Sequence, residues 1–217
     1  MRRTRRSTAP GQPVETGWPR SVIETVPTLR TSRLLLTIPG PECAPQYARF
    51  CLDNADFLQP WQGPFFEREF QASFWSDALR RRTEAFHADQ RYSFGIFAKS
   101  AGVSGPLLGY CSFSEIIRGR LQSCYLGYAL AENAQGRGLM TEALRVAIAY
   151  MFGEARLHRI MANYMPRNER SAKLLGRLGF AVEGAAKKYL YINGAWQDHV
   201  MTALVNPRES VPAGVAG

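Results

Sequence analysis

Histidine and cysteine are scarce in this chain, and their placement narrows its chemistry. Among 217 residues there are 3 histidines and 4 cysteines. His87, His158 and His199 are scattered. Cys43, Cys51, Cys111 and Cys124 form no C-x-x-C pair, and none stands at ligand spacing from a histidine, so metal catalysis has little support. Cys111 and Cys124 fall in strand-like apolar runs and read as small buried hydrophobes of a reducing compartment. Also missing is any apolar run near the roughly 20 residues a membrane helix needs. The basic opening MRRTRRSTAP is followed by no apolar stretch, which argues against a secretory signal. There is no internal repeat and no persuasive second domain.

What is present suits one ordinary globular domain. The hydrophobic share is 46%, enough for a core of that size. Residues 1–28 are polar and carry Pro10, Pro13, Pro19 and Pro27; they read as a disordered basic leader. Residues 29–205 then form the domain, and 206–217 a loose tail. A net charge of +9 favours acidic partners such as nucleic acid, the ribosome or a phosphate-rich cofactor, though it serves solubility equally well. The run Arg80-Arg81-Arg82 reads as a solvated helix face.

Periodicity supplies the elements. Ser32–Ile38 is a short strand stopped by Pro39-Gly40, and Pro45–Asn54 looks helical. Phe57–Trp61 reads as an aromatic loop, and Glu67–Gln90 as one long helix with Phe70, Phe74, Trp75, Leu79 and Phe86 near helical spacing. Strands over Tyr92–Ala98, Leu107–Ile117 and Leu121–Leu130, with short connections, suggest an antiparallel meander. The next helix has two apolar rows, Leu139, Ala143, Ala147, Met151 and Met140, Leu144, Ile148, Phe152, which make one broad face for packing on a sheet. A strand over His158–Met165, a helix capped by Asn168 and ended by Gly179, and a hairpin turning at Asn193-Gly194 complete the chain.

The chemistry-bearing segment is Gln135-Gly136-Arg137-Gly138-Leu139-Met140, between a strand and a helix. Glycines let a backbone approach a ligand closely, and a helix start offers unpaired N–H groups and a positive partial charge. Together these suit a pyrophosphate. The segment is not a P-loop, because no Lys-Ser/Thr follows, and it is not G-x-G-x-x-G. A plain glycine-rich turn would look the same in isolation.

Gln135-x-x-Gly138 opening a long helix resembles the acetyl-CoA signature of the GNAT N-acetyltransferases, with Met140 where that motif usually ends in Gly or Ala. The resemblance continues through Asn168-x-x-Ser171 and Leu178-Gly179-Phe180 to the closing hairpin, about residues 30–205. Within the superfamily, CYLGYAL, GRGLMTEAL, HRIMANYMPRN, RSAKLLGRLGF and WQDHVMTAL resemble the ribosomal-protein-alanine N-acetyltransferases. The resemblance implies a single α/β (α+β) domain of GNAT fold, with a mixed, mostly antiparallel sheet flanked by helices. It implies acetyl-CoA as co-substrate, no metal, a cytoplasmic setting, and transfer to the N-terminal alanine of a small-subunit ribosomal protein. A GNAT acting on a small amine and a non-catalytic ribosome- or RNA-associated factor remain alternatives.

The resemblance also distributes roles. Tyr128, Ala129 and Leu130 match the strand that pairs with the pantetheine arm. Gln135, Gly136, Arg137, Gly138, Leu139, Met140 and Thr141 match the pyrophosphate turn, and Asn168 matches a pantetheine contact as well as a helix cap. The strand Glu that serves some relatives as a base is replaced by Asn163, and the helix Tyr of others by Leu175. Ser171 and Tyr164 are left as candidate acids, and a backbone N–H near Leu130 as oxyanion donor. Trp61, Tyr189 and Tyr191 are candidates for the acceptor side. Asp198-His199 is a weak dyad, because adjacent strand residues face opposite ways.

Overall fold

Side chains alternate across each strand, so one sheet here carries two faces of different character. The computed structural model describes residues 25–208. The proposed leader lies mostly outside the described residues, as does the tail beyond Arg208. In chain order the elements are β1 Thr28–Arg30, β2 Leu34–Thr37, α1 Ala44–Gln62, α2 Ala72–His87, β3 Tyr92–Ala98, β4 Leu107–Ile117, β5 Ser123–Leu130, α3 Leu139–Gly153, β6 Arg159–Tyr164, α4 Glu169–Arg177, β7 Ala181–Ile192 and β8 Ala195–Val205. They form one 8-stranded sheet in the order β1-β2-β3-β4-β5-β6-β8-β7. Every neighbouring pair is antiparallel except β5–β6, which is parallel.

Register separates the faces. Tyr92, Phe94 and Ile96 lie across from Phe113, Cys111 and Gly109, which lie across from Leu126, Tyr128 and Leu130. This apolar face receives α3, whose Tyr150 ring meets Phe94 edge-on at 5.9 Å. The other face carries Ser93, Ser112 and Gly127 in one row and Gly95, Tyr110 and Ala129 in the next. It receives α1 and α2, with Phe50 edge-on to Tyr110 at 5.8 Å. Leu139, Met140, Ala143, Leu144, Ala147, Ile148 and Met151 of α3 are all buried, as its two apolar rows require. Each large side chain there contributes about 1.5–3 kcal/mol.

Four readings of the sequence need correcting. Residues 57–61 are not a loop: α1 runs through Pro60 to Gln62. Pro60 lacks one amide but stands in the last turn, where its carbonyl accepts from Arg167 Nη2 at 3.0 Å. The long helix over 67–90 divides into a 3-10 turn, Glu67–Phe70, and α2, because Gln71 is extended (φ −108°, ψ 133°). Glu69 fixes that break by accepting the Phe66 amide at 2.8 Å and, through its carbonyl, the Trp75 indole N–H at 2.7 Å. Arg82 is not part of a solvated face; its guanidinium lies 5.3 Å from the Tyr47 ring and 5.0 Å from that of Trp75. Asn206, assigned to the tail, is buried and donates its backbone N–H to the His158 carbonyl at 2.8 Å.

Candidate active site

The parallel pair β5–β6 is joined only over Ser123, Cys124 and Tyr125 against Arg159, Ile160 and Met161. Beyond Tyr125 the strands part. The Ala131 amide donates to the Leu108 carbonyl of β4 at 2.8 Å. Backbone groups alternate in direction along a strand. Those of Tyr128 and Leu130 therefore turn away from β4, into the gap left by β6. The N–H and C=O of Tyr128 and the N–H of Leu130 form a ready edge for an extended ligand, and the Leu130 N–H is aimed into the gap, as an oxyanion donor must be.

The glycine turn closes one end of this gap. Gly136 (φ 76°) and Gly138 (φ 72°) are left-handed, and an added Cβ would meet nothing within 4 Å at Gly136 and only Arg33 Nη2, at 3.9 Å, at Gly138. These are open positions, as a cradle for a bulky anion requires. The first helical bond of α3 runs from the Glu142 amide to the Gly138 carbonyl at 3.1 Å. The amides of Leu139, Met140 and Thr141 thus have no partner within the helix and face the turn.

A cavity of about 720 Å³ joins these parts. Its walls include Tyr128, Ala129 and Leu130 of β5; Gln135, Gly136, Gly138, Leu139, Met140 and Thr141 of the turn; Asn168 and Ser171 of α4; and Trp61 of α1. Ten of the eleven predicted cofactor residues therefore share one cavity. The exception is Arg137, which faces a neighbouring hollow beside Arg33, while its carbonyl accepts from Arg33 Nη1 at 3.0 Å. Gln135 has an internal task as well: its Nε2 donates to the Leu130 carbonyl at 2.9 Å, tying the turn to the strand end. A second hollow, of about 620 Å³ between α2 and the end of β4, contains none of the predicted residues.

Asn168 caps α4, its Oδ1 accepting the Ser171 amide at 3.1 Å. The Ser171 hydroxyl faces that of Tyr128. Burial pushes the Tyr128 phenol up to about 12; the bond from Ser171 opposes this and nearby Tyr164 adds to it. Tyr128 is thus a neutral O–H at physiological pH. Tyr164 is not among the cavity walls; it packs, partly buried, against the core. Tyr189 and Tyr191 also lie outside it. Tyr189 stands over Tyr125 and Asn163, edge-on to His199 at 5.6 Å. Tyr191 is 63% exposed on the outer side of the hairpin and pairs with Trp196. Asp198 and His199 do point apart: Asp198 takes Lys187 Nζ at 2.7 Å, whereas His199 is buried.

Two features escaped the sequence reading. Arg170, Lys173 and Arg177 of α4 line the cavity, an i, i+3, i+7 stripe of positive charge suited to phosphate. The spacing was visible, but a charge run on an amphipathic helix normally marks solvent. The second is a clamp on the first turn of α3. Glu142 accepts from Thr31 Oγ1, from Ser32 Oγ at 3.1 Å and from Arg33 Nε at 2.7 Å. Burial raises the Glu142 carboxyl, but these hydrogen bonds outweigh it and hold the group down at about 2. Partners more than 100 residues apart carry no local sequence signal.

A forked sheet, a glycine turn at a helix start and a cationic stripe line one cavity, an arrangement suited to an extended ligand that carries phosphate. The chain belongs to the acetyltransferase (GNAT) domain family, whose model matches residues 33–181. It is 42% identical over 179 residues to the [ribosomal protein uS5]-alanine N-acetyltransferase of Escherichia coli (strain K12), covering 82% of this chain and 91% of that protein. Its fold is similar to the ribosomal-protein-S5-alanine acetyltransferase from Vibrio fischeri, with a TM-score of 0.80 and 35% identity over 85% of this chain and 99% of that one. It also resembles Mycobacterium smegmatis RimJ in complex with CoA-disulfide, with a TM-score of 0.75 and 26% identity over 85% of this chain and 88% of that one. The expected GNAT fold and acetyltransferase class are thus established, with acetyl-CoA as the co-substrate.

Proposed function

We propose that this protein transfers the acetyl group of acetyl-CoA to the N-terminal alanine amine of a protein, a small-subunit ribosomal protein in the cytoplasm. The resemblance in sequence to the Escherichia coli enzyme of that name supports the acceptor. The observation that carries the chemistry is the fork between β5 and β6, which opens onto the cradle at one end and Ser171 at the other.

Acetyl-CoA supplies the activated thioester. The amides of Gly136 to Thr141 hold the pyrophosphate; Arg170, Lys173 and Arg177 neutralise phosphate charge; and the free edge of Tyr128–Leu130 takes the pantetheine amides. The acceptor amine enters neutral and attacks the carbonyl carbon. The Leu130 N–H steadies the oxygen as it gains charge. Collapse breaks the C–S bond; the nitrogen passes its extra proton to the Ser171 hydroxyl as that hydroxyl gives its own proton to the departing sulfur, so the amide and the CoA thiol leave and Ser171 ends as it began, beside the Tyr128 hydroxyl.

With Asn163 where a base would stand, the amine must arrive largely unaided. An α-amino group titrates near 8, so about a tenth is neutral at pH 7, whereas a lysine amine near 10.4 is almost wholly charged. The fold therefore suits an N-terminus better than a lysine. A thiol-release assay across N-terminal peptides and small amines tests this. Turnover is expected on Ala-initiated peptides; turnover confined to small amines would reverse the assignment.

A further inference from the structure

Three glycines occupy the centre of the sheet, and two have structural reasons. A Cβ at Gly109 would lie 2.4 Å from the Ala129 carbonyl oxygen, and one at Gly95 would lie 2.9 Å from the Phe97 ring and 3.1 Å from the Tyr47 hydroxyl. Gly127 has no such reason. Its φ is not left-handed, and a Cβ there would meet nothing within 4 Å. A strand-interior glycine weakens a sheet and often marks a place where a ligand's backbone passes close by.

Gly127 is also exposed, although β5 lies inside the sheet with β4 and β6 on its flanks. It sits on the polar face, across from Ser112, whose Oγ lies 2.9 Å from Ser93 Oγ. On β5 its same-face neighbours are Tyr125 and Ala129. The β7–β8 hairpin reaches over toward α1, where Gln59 Nε2 donates to Asn193 Oδ1 at 3.2 Å. Gly127, the serine row and the face that the hairpin reaches thus lie on one side of the sheet, the side away from α3.

We infer that Gly127 is a specificity-determining position for the acceptor: the first residues of the acceptor polypeptide cross the sheet there in an extended conformation, main chain against the bare Cα. This rests on the proposed N-terminal acceptor and adds its route. A small amine would need no such clearance; a polypeptide threading its terminus to the fork would. The cofactor lies elsewhere, because the backbone groups that receive it belong to the alternate residues Tyr128 and Leu130.

Gly127→Ala and Gly127→Val test the route. Both are expected to fold as well as wild type, with Val no less stable by thermal melt, since the added atoms meet nothing and β-branched residues favour strands. KM for an Ala-initiated peptide should rise in the order Gly, Ala, Val, by about tenfold or more for Val, the scale that one misfitted methyl group sets. Acetyl-CoA affinity should not change. Unchanged peptide KM in Gly127→Val, or an equal loss of acetyl-CoA affinity, would overturn the route.

A second measurement does not depend on turnover. All four native cysteines are buried. In Gly127→Cys the introduced thiol should therefore react alone with a maleimide. The Ala-initiated peptide should protect it and acetyl-CoA alone should not. Protection by acetyl-CoA alone, by a small amine alone, or by neither ligand would contradict the inference. Wild-type turnover of the same peptide reads the proposed function separately.

Discussion

Ser171 and Glu142 carry the residue-scale account in different ways. Ser171→Ala removes the hydroxyl next to Tyr128 but leaves the Asn168 cap intact, because that cap uses the Ser171 backbone amide. kcat should fall about 100-fold, the usual scale of a proton-transfer group, with the acetyl-CoA Kd unchanged. A parallel loss of acetyl-CoA binding would make Ser171 a binding residue instead. Glu142→Gln tests the clamp. The folded carboxyl is depressed to about 2 from 4.5, so its stabilisation is present above about 4.5 and is lost as pH falls toward 2. Urea unfolding should show Glu142→Gln less stable than wild type at pH 7 and equal to it near pH 2. An equal gap at both pH values would remove ionisation from the account.

At the scale of elements, the turn from Gln135 to Gly138 and the first turn of α3 work as one unit, pinned from outside by Arg33. Gly138→Asp places a carboxylate in the cradle. The backbone can accept it, because Asp tolerates left-handed conformations and the nearest atom to a Cβ is 3.9 Å away. Like charge at a desolvated contact costs several kcal/mol, so acetyl-CoA affinity should drop at least 100-fold by calorimetry, with only a modest loss from Gly138→Asn. Equal losses in both variants would point to strain rather than charge.

The same element shows what could be read from sequence alone. A glycine turn opening a two-row apolar helix is a local pattern, and its local physics puts Gly136, Gly138 and the first amides of α3 in the cavity. Arg137 broke the pattern because its orientation depends on Arg33, far away in sequence. The end of α1 was misread for a similar reason. Pro60 argues locally against helix, but it stands in the last turn, where one missing amide is tolerated, and Arg167, from the β6–α4 connection, binds the Pro60 carbonyl that the helix end leaves open. The α4 stripe was legible in spacing but not in direction, because a charged face toward solvent and one toward a phosphate look the same in one dimension.

For the whole molecule, the parallel pair in an otherwise antiparallel sheet is the organising device. It lets β5 and β6 share only three paired residues before parting, so a ligand can take the place of a strand. One side of the fork meets α3 and α4, which on the proposed reading hold phosphate. The other meets α1, the polar sheet face and the β7–β8 hairpin, where the inferred route brings in the acceptor chain. Asn163 stands where the resemblance places a base, and the proposed function therefore relies on an acceptor amine already partly neutral.

The most direct test of that claim is the pH dependence of kcat/KM for an Ala-initiated peptide, with the product located by mass spectrometry. The acetyl group should be found on the α-amine alone. The rate constant should climb about tenfold per pH unit up to about pH 8 and then level, following the free amine. Acetyl on lysine, or a limb breaking near pH 6–7 that belongs to the enzyme and not to the peptide, would contradict the account.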